Sequence, residues 1–188
     1  TYQRIEPRVY DSSQPVRILD IDDESLAQIG QWPWPRSRIA DLVDRLHDAG
    51  AAVVVFDVLF AEPDRTSPAN VVADWPDSPE DADLRARVAA LPDHDQLLAE
   101  AFARGRVVAG FAFTRSRETA PPPAPKAGVG LGGSPPHPFL PAYDAAITNL
   151  PALEAAAAGV GNINFEADAD GLIRRVPLFT QYVAPGTT

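Results

Sequence analysis

The chain has 188 residues, 45% of them hydrophobic, and a formal net charge of -10; it is long enough to bury a core without disulfides and too acidic to wrap nucleic-acid phosphates. It has no cysteine, and His47, His94 and His137 are far apart in sequence, which argues against a disulfide framework or a cysteine-based zinc knuckle. Its 16 basic residues are Lys126 and arginines, and methionine is absent, as expected of a processed or excised piece of a longer protein.

The run VRILDID, residues 16–22, is apolar and ends in acids, the pattern of a buried parallel strand with a polar carboxyl end. In RSRIADLVDRLHDAG, Ile39, Leu42, Val43 and Leu46 recur at helical spacing and Gly50 marks a stop. AAVVVFDVLF follows as a second β-branched strand, so residues 16–58 read as strand, crossover helix and parallel strand. Residues 61–81 are rich in Pro, Asp and Ser and predict a surface loop. DADLRARVAALPDHDQLLAEAFARG predicts two helices separated at Pro92, then VVAGFAF a third strand. Residues 114–141 form a Pro/Gly/Ala-rich insertion, expected to be exposed and mobile. ALEAAAAG predicts a short helix, and VGNINFE and IRRVPLFTQYV a hairpin about the turn ADADG. The sum is an α/β fold: a three-layer sandwich whose central, mostly parallel sheet contains residues 16–22, 52–58 and 107–113, with a C-terminal β-hairpin.

Side chains alternate along a strand, so Asp20 and Asp22 would share a face at the carboxyl end of the sheet, where open α/β folds place their ligand crevices. Asp57 would end the second strand, with Glu62 and Asp64 in the loop beyond. One reading is enzymatic. ILDIDDES has the form of the haloacid dehalogenase class of phosphatases, with Asp20 as nucleophile, Asp22 as general acid and magnesium between them. That chemistry also needs a cation on the transferred phosphoryl group, and the sole lysine lies in the insertion. A receiver-like reading with Asp57 as phosphoacceptor meets the same objection. The competing reading makes Asp20, Asp22 and Asp57 a structural acidic cluster that caps amides and pairs with Arg36 or Arg38; binding of magnesium or calcium without catalysis is a third. In WPWPR, Pro33 and Pro35 hold Trp32 and Trp34 extended, for packing over the sheet end or for stacking on a ligand, and Arg36 is placed to fork onto Asp22 or Glu62. His47 is read as a surface residue.

The blocks ILDIDDESLAQIGQWPWPRSRIADLVDRLHDAGAAVVVFDVLFAEPD, VVAG and GVGNINFEADADGLIRRVPLF, in that order over residues 16–179, resemble the CHASE domain of type two, an extracellular sensory domain of bacterial signalling proteins. The motif positions are Asp20, Asp22, Trp32, Pro33, Arg36, Asp57, Glu62, Asp64, Asp170, Gly171 and Arg174; the insertion at 120–138 departs from the pattern. The resemblance implies a membrane-proximal segment, residues 1–15, and one sensory domain, residues 16–188, on the periplasmic or extracellular face of the plasma membrane. Flanking transmembrane helices would anchor the parent chain, which would relay the stimulus to a cytoplasmic adenylate cyclase, histidine kinase or serine/threonine kinase. The domain itself would be no enzyme and need no cofactor. Its partners would be an unidentified small-molecule or protein stimulus and a second copy in a homodimer. Trp32, Trp34, Arg36, Glu62 and Asp64 are the candidate ligand-binding residues, with the insertion as a lid. A dimerisation spacer without a ligand is the competing expectation.

Overall fold

A computed structural model of the chain describes residues 9, 13–76, 78–115, 120–128, 130, 132–165 and 167–184. The chain falls into two compact units, residues 1–34 and 35–188. The described part of the first unit holds one helix, α1 (Asp23–Ile29).

The second unit opens with α2 (Arg36–Asp48). Its apolar stripe buries Ile39, Ala40 and Val43, and the turn closes where the Gly50 amide donates to the His47 carbonyl at 2.9 Å. Then follow β1 (Val54–Val55), α3 (Pro68–Ala73), a 3-10 turn (Pro79–Asp81), α4 (Ala82–Ala89), α5 (His94–Arg104) and β2 (Val107–Thr114). After the insertion and a second 3-10 turn (His137–Phe139) come β3 (Ala142–Tyr143), β4 (Ala145–Ile147), α6 (Pro151–Ala156), β5 (Gly159–Asn162) and β6 (Gln181–Tyr182). Helices α2 and α5 pack together, and α5 also packs on α6. The helices split at Pro92 as expected, because proline supplies no amide for a continuous helix and Asp93 restarts one by capping the amides of Asp95 (2.7 Å) and Gln96 (3.1 Å).

Strand β2 is the axis of the sheet. Successive carbonyls of a strand point to opposite flanks. Those of Arg106 and Val108 accept from Val54 and Phe56 on one flank, and those of Val107 and Phe111 from Ala158 and Ile163 on the other. β1 and β5 are both parallel to β2, and β4 is antiparallel to its end. Two asparagines fill positions that a strand would otherwise occupy. The Asn149 side chain donates to the Gly110 carbonyl at 2.7 Å and accepts from the Phe60 amide at 2.8 Å. Asn164 bonds both the amide (2.5 Å) and the carbonyl (2.9 Å) of Phe113. Buried backbone groups are thus paired where the ladder stops, which avoids roughly 1–3 kcal/mol for each group left unmet. Gly110 is needed at its position, since an added Cβ would lie 2.7 Å from the Phe56 carbonyl oxygen. The core beside the sheet is aromatic: Phe56 stacks on Phe102 with centroids 5.5 Å apart, and Phe60 meets both edge-on. Phe60 and Phe102 are fully buried, each contributing roughly 1.5–3 kcal/mol of burial. A smaller cluster of Phe111, Phe113, Tyr143 and Ala146, with Val160 and Tyr182 packed against it, joins this sheet to the parallel pair β3–β6.

The fold is mixed α/β, as the alternation of patterns predicts, but the sheet differs. Residues 16–22 form no strand, and Val16, Ile18 and Leu19 are exposed. An apolar run becomes a strand only when a neighbour takes its backbone hydrogen bonds, which periodicity does not report. The strand expected over 52–58 is ordered as ladder only at Val54–Val55, opposite Val107 and Val108. The βαβ unit is therefore β1–β2, with α3 to α5 as the crossover, rather than one spanning residues 16–58. Among the described residues the expected hairpin does not form either, since β5 pairs with β2 and β6 with β3. The ADADG turn does form: Asp168 and Leu172 bond across it and Arg174 pairs with Asp168 and Asp170 at 2.9 and 2.7 Å. Beyond it the chain runs without a ladder to β6, which pairs with β3, and Pro177 in that arm has no amide to give. The observed sheet is mixed, with β1 and β5 parallel to β2 and β4 antiparallel to it.

The described parts of the insertion are tied to the domain. Ala120 bridges to Ala146, and Lys126 Nζ donates to the carbonyls of Glu154, Ala155 and Ala157 at the end of α6. A cation there complements the helix dipole. Residues 116–119, 129 and 131 lie outside the described part.

Candidate sensory surface

In the first unit, Asp22 is the N-cap of α1. Its carboxylate accepts from the Ser25 amide at 2.9 Å and the Ser25 hydroxyl at 2.6 Å, and these bonds hold its pKa below the ordinary value. Asp20 is exposed and makes no hydrogen bond or ion pair among the described residues. The two tryptophans meet edge to face, with centroids 5.5 Å apart, and the Trp34 indole N–H donates to the Gly30 carbonyl at 2.8 Å. Trp34 is thereby spent on packing, with its one polar atom satisfied.

In the second unit, the loop after Phe60 carries the most densely bonded side chain of the described part. Asp64 Oδ1 accepts from the Thr66 amide and hydroxyl, each at 2.8 Å. Its Oδ2 accepts from the Arg36 amide at 2.7 Å and lies 3.2 Å from His94 Nδ1. The Asp64 amide donates to Asp95 Oδ2 at 2.8 Å, and its carbonyl accepts from Asn70 at 2.8 Å. Ser67 Oγ accepts from the His94 amide at 3.0 Å. The knot ties the first turn of α2, the 61–67 loop, α3 and the start of α5. A carboxylate has about four lone-pair sites, and Asp64, 6% exposed, has four partners. It has no capacity left for a ligand or a metal.

Arg36 lies in the same knot. Its guanidinium sits 4.5 Å over the Phe60 ring, reaches the Glu62 carbonyl at 3.4 Å, and places Nε 3.5 Å from Asp95 Oδ1. That ion pair is close but not hydrogen-bonded: Arg36 Nε and Asp95 Oδ1 are buried without partners. The two acids respond oppositely. Burial pushes the Asp64 carboxyl up, but the donors from Arg36, Thr66 and His94 together outweigh it and hold the pKa below the ordinary value. For Asp95 burial dominates over the Asp64 amide and the Arg36 charge, and the pKa is raised.

The expected residues thus separate by role. Arg36 and Asp64 are brought together, with Arg36 reaching the Glu62 carbonyl and lying beside Asp95. Glu62 and Asp57 are exposed; Asp57 makes no bond among the described residues, and the buried acids of this region are Asp64 and Asp95. Sequence reasoning missed Asp95, His94, Thr66 and Asn149. Asp64-Arg65-Thr66 carries the spacing of an Asx turn and Asp93-His94-Asp95 that of a helix cap, which were the available signals. His47 is not a plain surface residue: both ring nitrogens are buried without a partner, with the ring against Gly105. Among the described residues no group of three or more His, Cys, Asp or Glu could hold a metal ion.

The phosphoryl-transfer reading loses its supports here. Asp22 is engaged as a helix cap, and Lys126 is engaged by the α6 carbonyls. The family model described as the CHASE2 domain matches residues 1–187. The chain belongs to the CHASE2 family. CHASE2 domains are extracellular, non-catalytic sensory domains of transmembrane receptors. No curated protein and no solved structure matches the chain significantly.

Proposed function

We propose that this CHASE2 domain is the input module of a bacterial receptor, lying on the periplasmic or extracellular face of the membrane and relaying a stimulus to a cytoplasmic cyclase or kinase. The observation that carries the reading is the family match over residues 1–187. The best-organised carboxylate, Asp64, is saturated by donors and its neighbour Asp95 is held beside Arg36, so both serve the framework of the domain rather than a reaction. None of the described helices is long and apolar enough to cross a membrane, so anchoring would fall to segments outside them. Glu62, with its exposed carboxylate, is the member of the expected ligand set that remains open to solvent in the second unit.

The test uses the parent gene. Fusions of alkaline phosphatase within the domain should be active and fusions of a cytoplasm-dependent fluorescent protein dark, while deleting residues 16–184 should remove the response of the output domain but leave its basal activity measurable. A bright fluorescent fusion with inactive phosphatase would overturn the location. A response that survives the deletion would overturn the input role.

A further inference from the structure

The knot around Asp64 holds two buried carboxylates that are bonded in opposite ways. Asp64 has four partners, the Arg36 amide, the Thr66 amide and hydroxyl, and His94 Nδ1. Asp95 is half met. Its Oδ2 accepts the Asp64 amide at 2.8 Å, whereas its Oδ1 is buried without a hydrogen bond among the described residues. The cation paired with that oxygen is Arg36, whose Nε stands 3.5 Å away and is itself buried without an acceptor. All these groups belong to the unit of residues 35–188.

A buried carboxylate oxygen that no donor meets is a ready place for a proton, because the neutral carboxyl is rid of the desolvation cost of the charge. The surroundings of Asp95 act in that direction. Burial raises its pKa, the negative charges of Asp93 and Asp64 add to the rise, and the Asp64 amide and the Arg36 charge do not offset them. Burial acts on Asp64 too, but the donors from Arg36, Thr66 and His94 outweigh it, so Asp64 stays ionised to lower pH. The remaining titratable groups of the knot face elsewhere: His94 turns Nδ1 to Asp64, and Arg36 meets Glu62 only at its carbonyl.

A proton on Asp95 Oδ1 changes what holds Arg36. With that carboxyl neutral, the guanidinium keeps the 3.4 Å contact to the Glu62 carbonyl and the face of Phe60 at 4.5 Å, too little for a charge kept out of water. The Arg36 backbone is held independently, since its amide is bonded to Asp64 Oδ2 at 2.7 Å.

We propose that Asp95 is a proton-operated latch: a proton on its Oδ1 frees the Arg36 side chain to turn to solvent, while Asp64 keeps the first turn of α2, the 61–67 loop and the start of α5 in place. The latch rests on the geometry of the knot and not on the sensory reading; within the proposed input role it makes acid a stimulus.

The test is NMR of the 188-residue chain from about pH 7 to about pH 3, a range that spans ordinary carboxyl titration. It follows the side-chain carboxyl carbons of Asp64 and Asp95 and the Arg36 Nε–H resonance. Asp95 should titrate above Asp64. The Arg36 resonance should shift and sharpen at the Asp95 midpoint, as a side chain released to fast motion does, while far-UV circular dichroism stays unchanged. In Asp95→Asn, which stands for the neutral carboxyl, that resonance should take its acid position already at neutral pH and keep it throughout. His94→Gln should leave the Arg36 transition in place. An Arg36 resonance that stays fixed through the Asp95 titration would overturn the latch, as would its loss together with the helical signal, which is unfolding. A transition that survives Asp95→Asn and vanishes in His94→Gln would overturn it too, by giving the proton to the histidine. Should Asp95→Asn fail to fold, the coincidence of the Asp95 and Arg36 midpoints in the parent chain decides the matter.

Discussion

At the scale of single residues, Asp64 is the side chain whose removal should be felt most. Asp64→Asn keeps the size but turns an amide NH2 toward donors, leaving at least two buried hydrogen bonds unmade, at a cost of about 3 kcal/mol. Asp57→Ala at an exposed position should stay within about 0.5 kcal/mol. Urea denaturation of the two variants checks the contrast, and equal midpoints would remove Asp64 from the centre of the domain. The same residue sets a pH dependence. Its folded pKa is depressed, so its stabilisation is present above the unfolded value of about 3.9 and is lost as the pH falls through the folded value. Asp95 has a raised pKa; its contribution is greatest below the unfolded value and is lost as the pH rises through the folded one. The two oppose each other in acid. Stability measured between pH 3 and 6 should therefore fall less toward acid in Asp64→Asn than in the parent, and more steeply in Asp95→Asn. Identical slopes would count against both assignments.

At the scale of elements, α2 and the end of α5 meet closely at His47 and Gly105. A Cβ built on Gly105 would fall 1.9 Å from the His47 ring, so Gly105→Ala forces the imidazole out of its place and should cost about 1–3 kcal/mol, as overpacking does. His47→Ala should relieve most of that cost in the double variant, an interaction that a double-mutant cycle reads directly; additive effects would mean the clash is absorbed elsewhere. Helices of this kind were legible in the sequence because their stop signals are local: Gly50 and Pro92 lie where the pattern puts them. Strand β2 was legible for a related reason, being an unbroken apolar run buried on both faces. The first strand and the terminal hairpin were not, because their formation depends on a distant ladder partner, and among the described residues neither 16–22 nor 173–180 is in a ladder. The site was legible in part. Arg36 and Asp64 lie in striking-looking motifs only by their neighbours, whereas Asp95 and Asn149 act through backbone groups about 30 and 90 residues away, a relation that no single window contains.

At the scale of the whole molecule, no arrangement among the described residues is suited to a catalytic metal. Magnesium or calcium at millimolar concentration should leave the thermal midpoint of the domain unchanged within about 1 °C, whereas a bound ion present at 100 times its dissociation constant would stabilise by about 2.7 kcal/mol. An aryl phosphate should not be turned over. Turnover abolished by Asp20→Asn would restore the enzymatic reading. On the proposed sensory role, a ligand would shift an equilibrium between two arrangements of a receptor, and it does this only through unequal affinity for them. Asp64 itself is a poor agent of such a preference, because perturbing it unfolds the loop before it biases a signal. Glu62 differs. Its side chain is exposed while its carbonyl receives the Arg36 guanidinium, so the carboxylate is free to meet a cationic or hydrogen-bonding group without disturbing the knot. In the full-length receptor Glu62→Ala should therefore keep parental folding and membrane levels but shift the half-maximal stimulus by at least about tenfold, the loss of roughly 1.4 kcal/mol of binding. Trp34→Ala, which removes the indole bonded to Gly30, should instead lower the thermal midpoint of the isolated domain. A Glu62→Ala receptor with an unchanged dose response, under every condition that modulates the parent, would take this surface out of the sensing reaction.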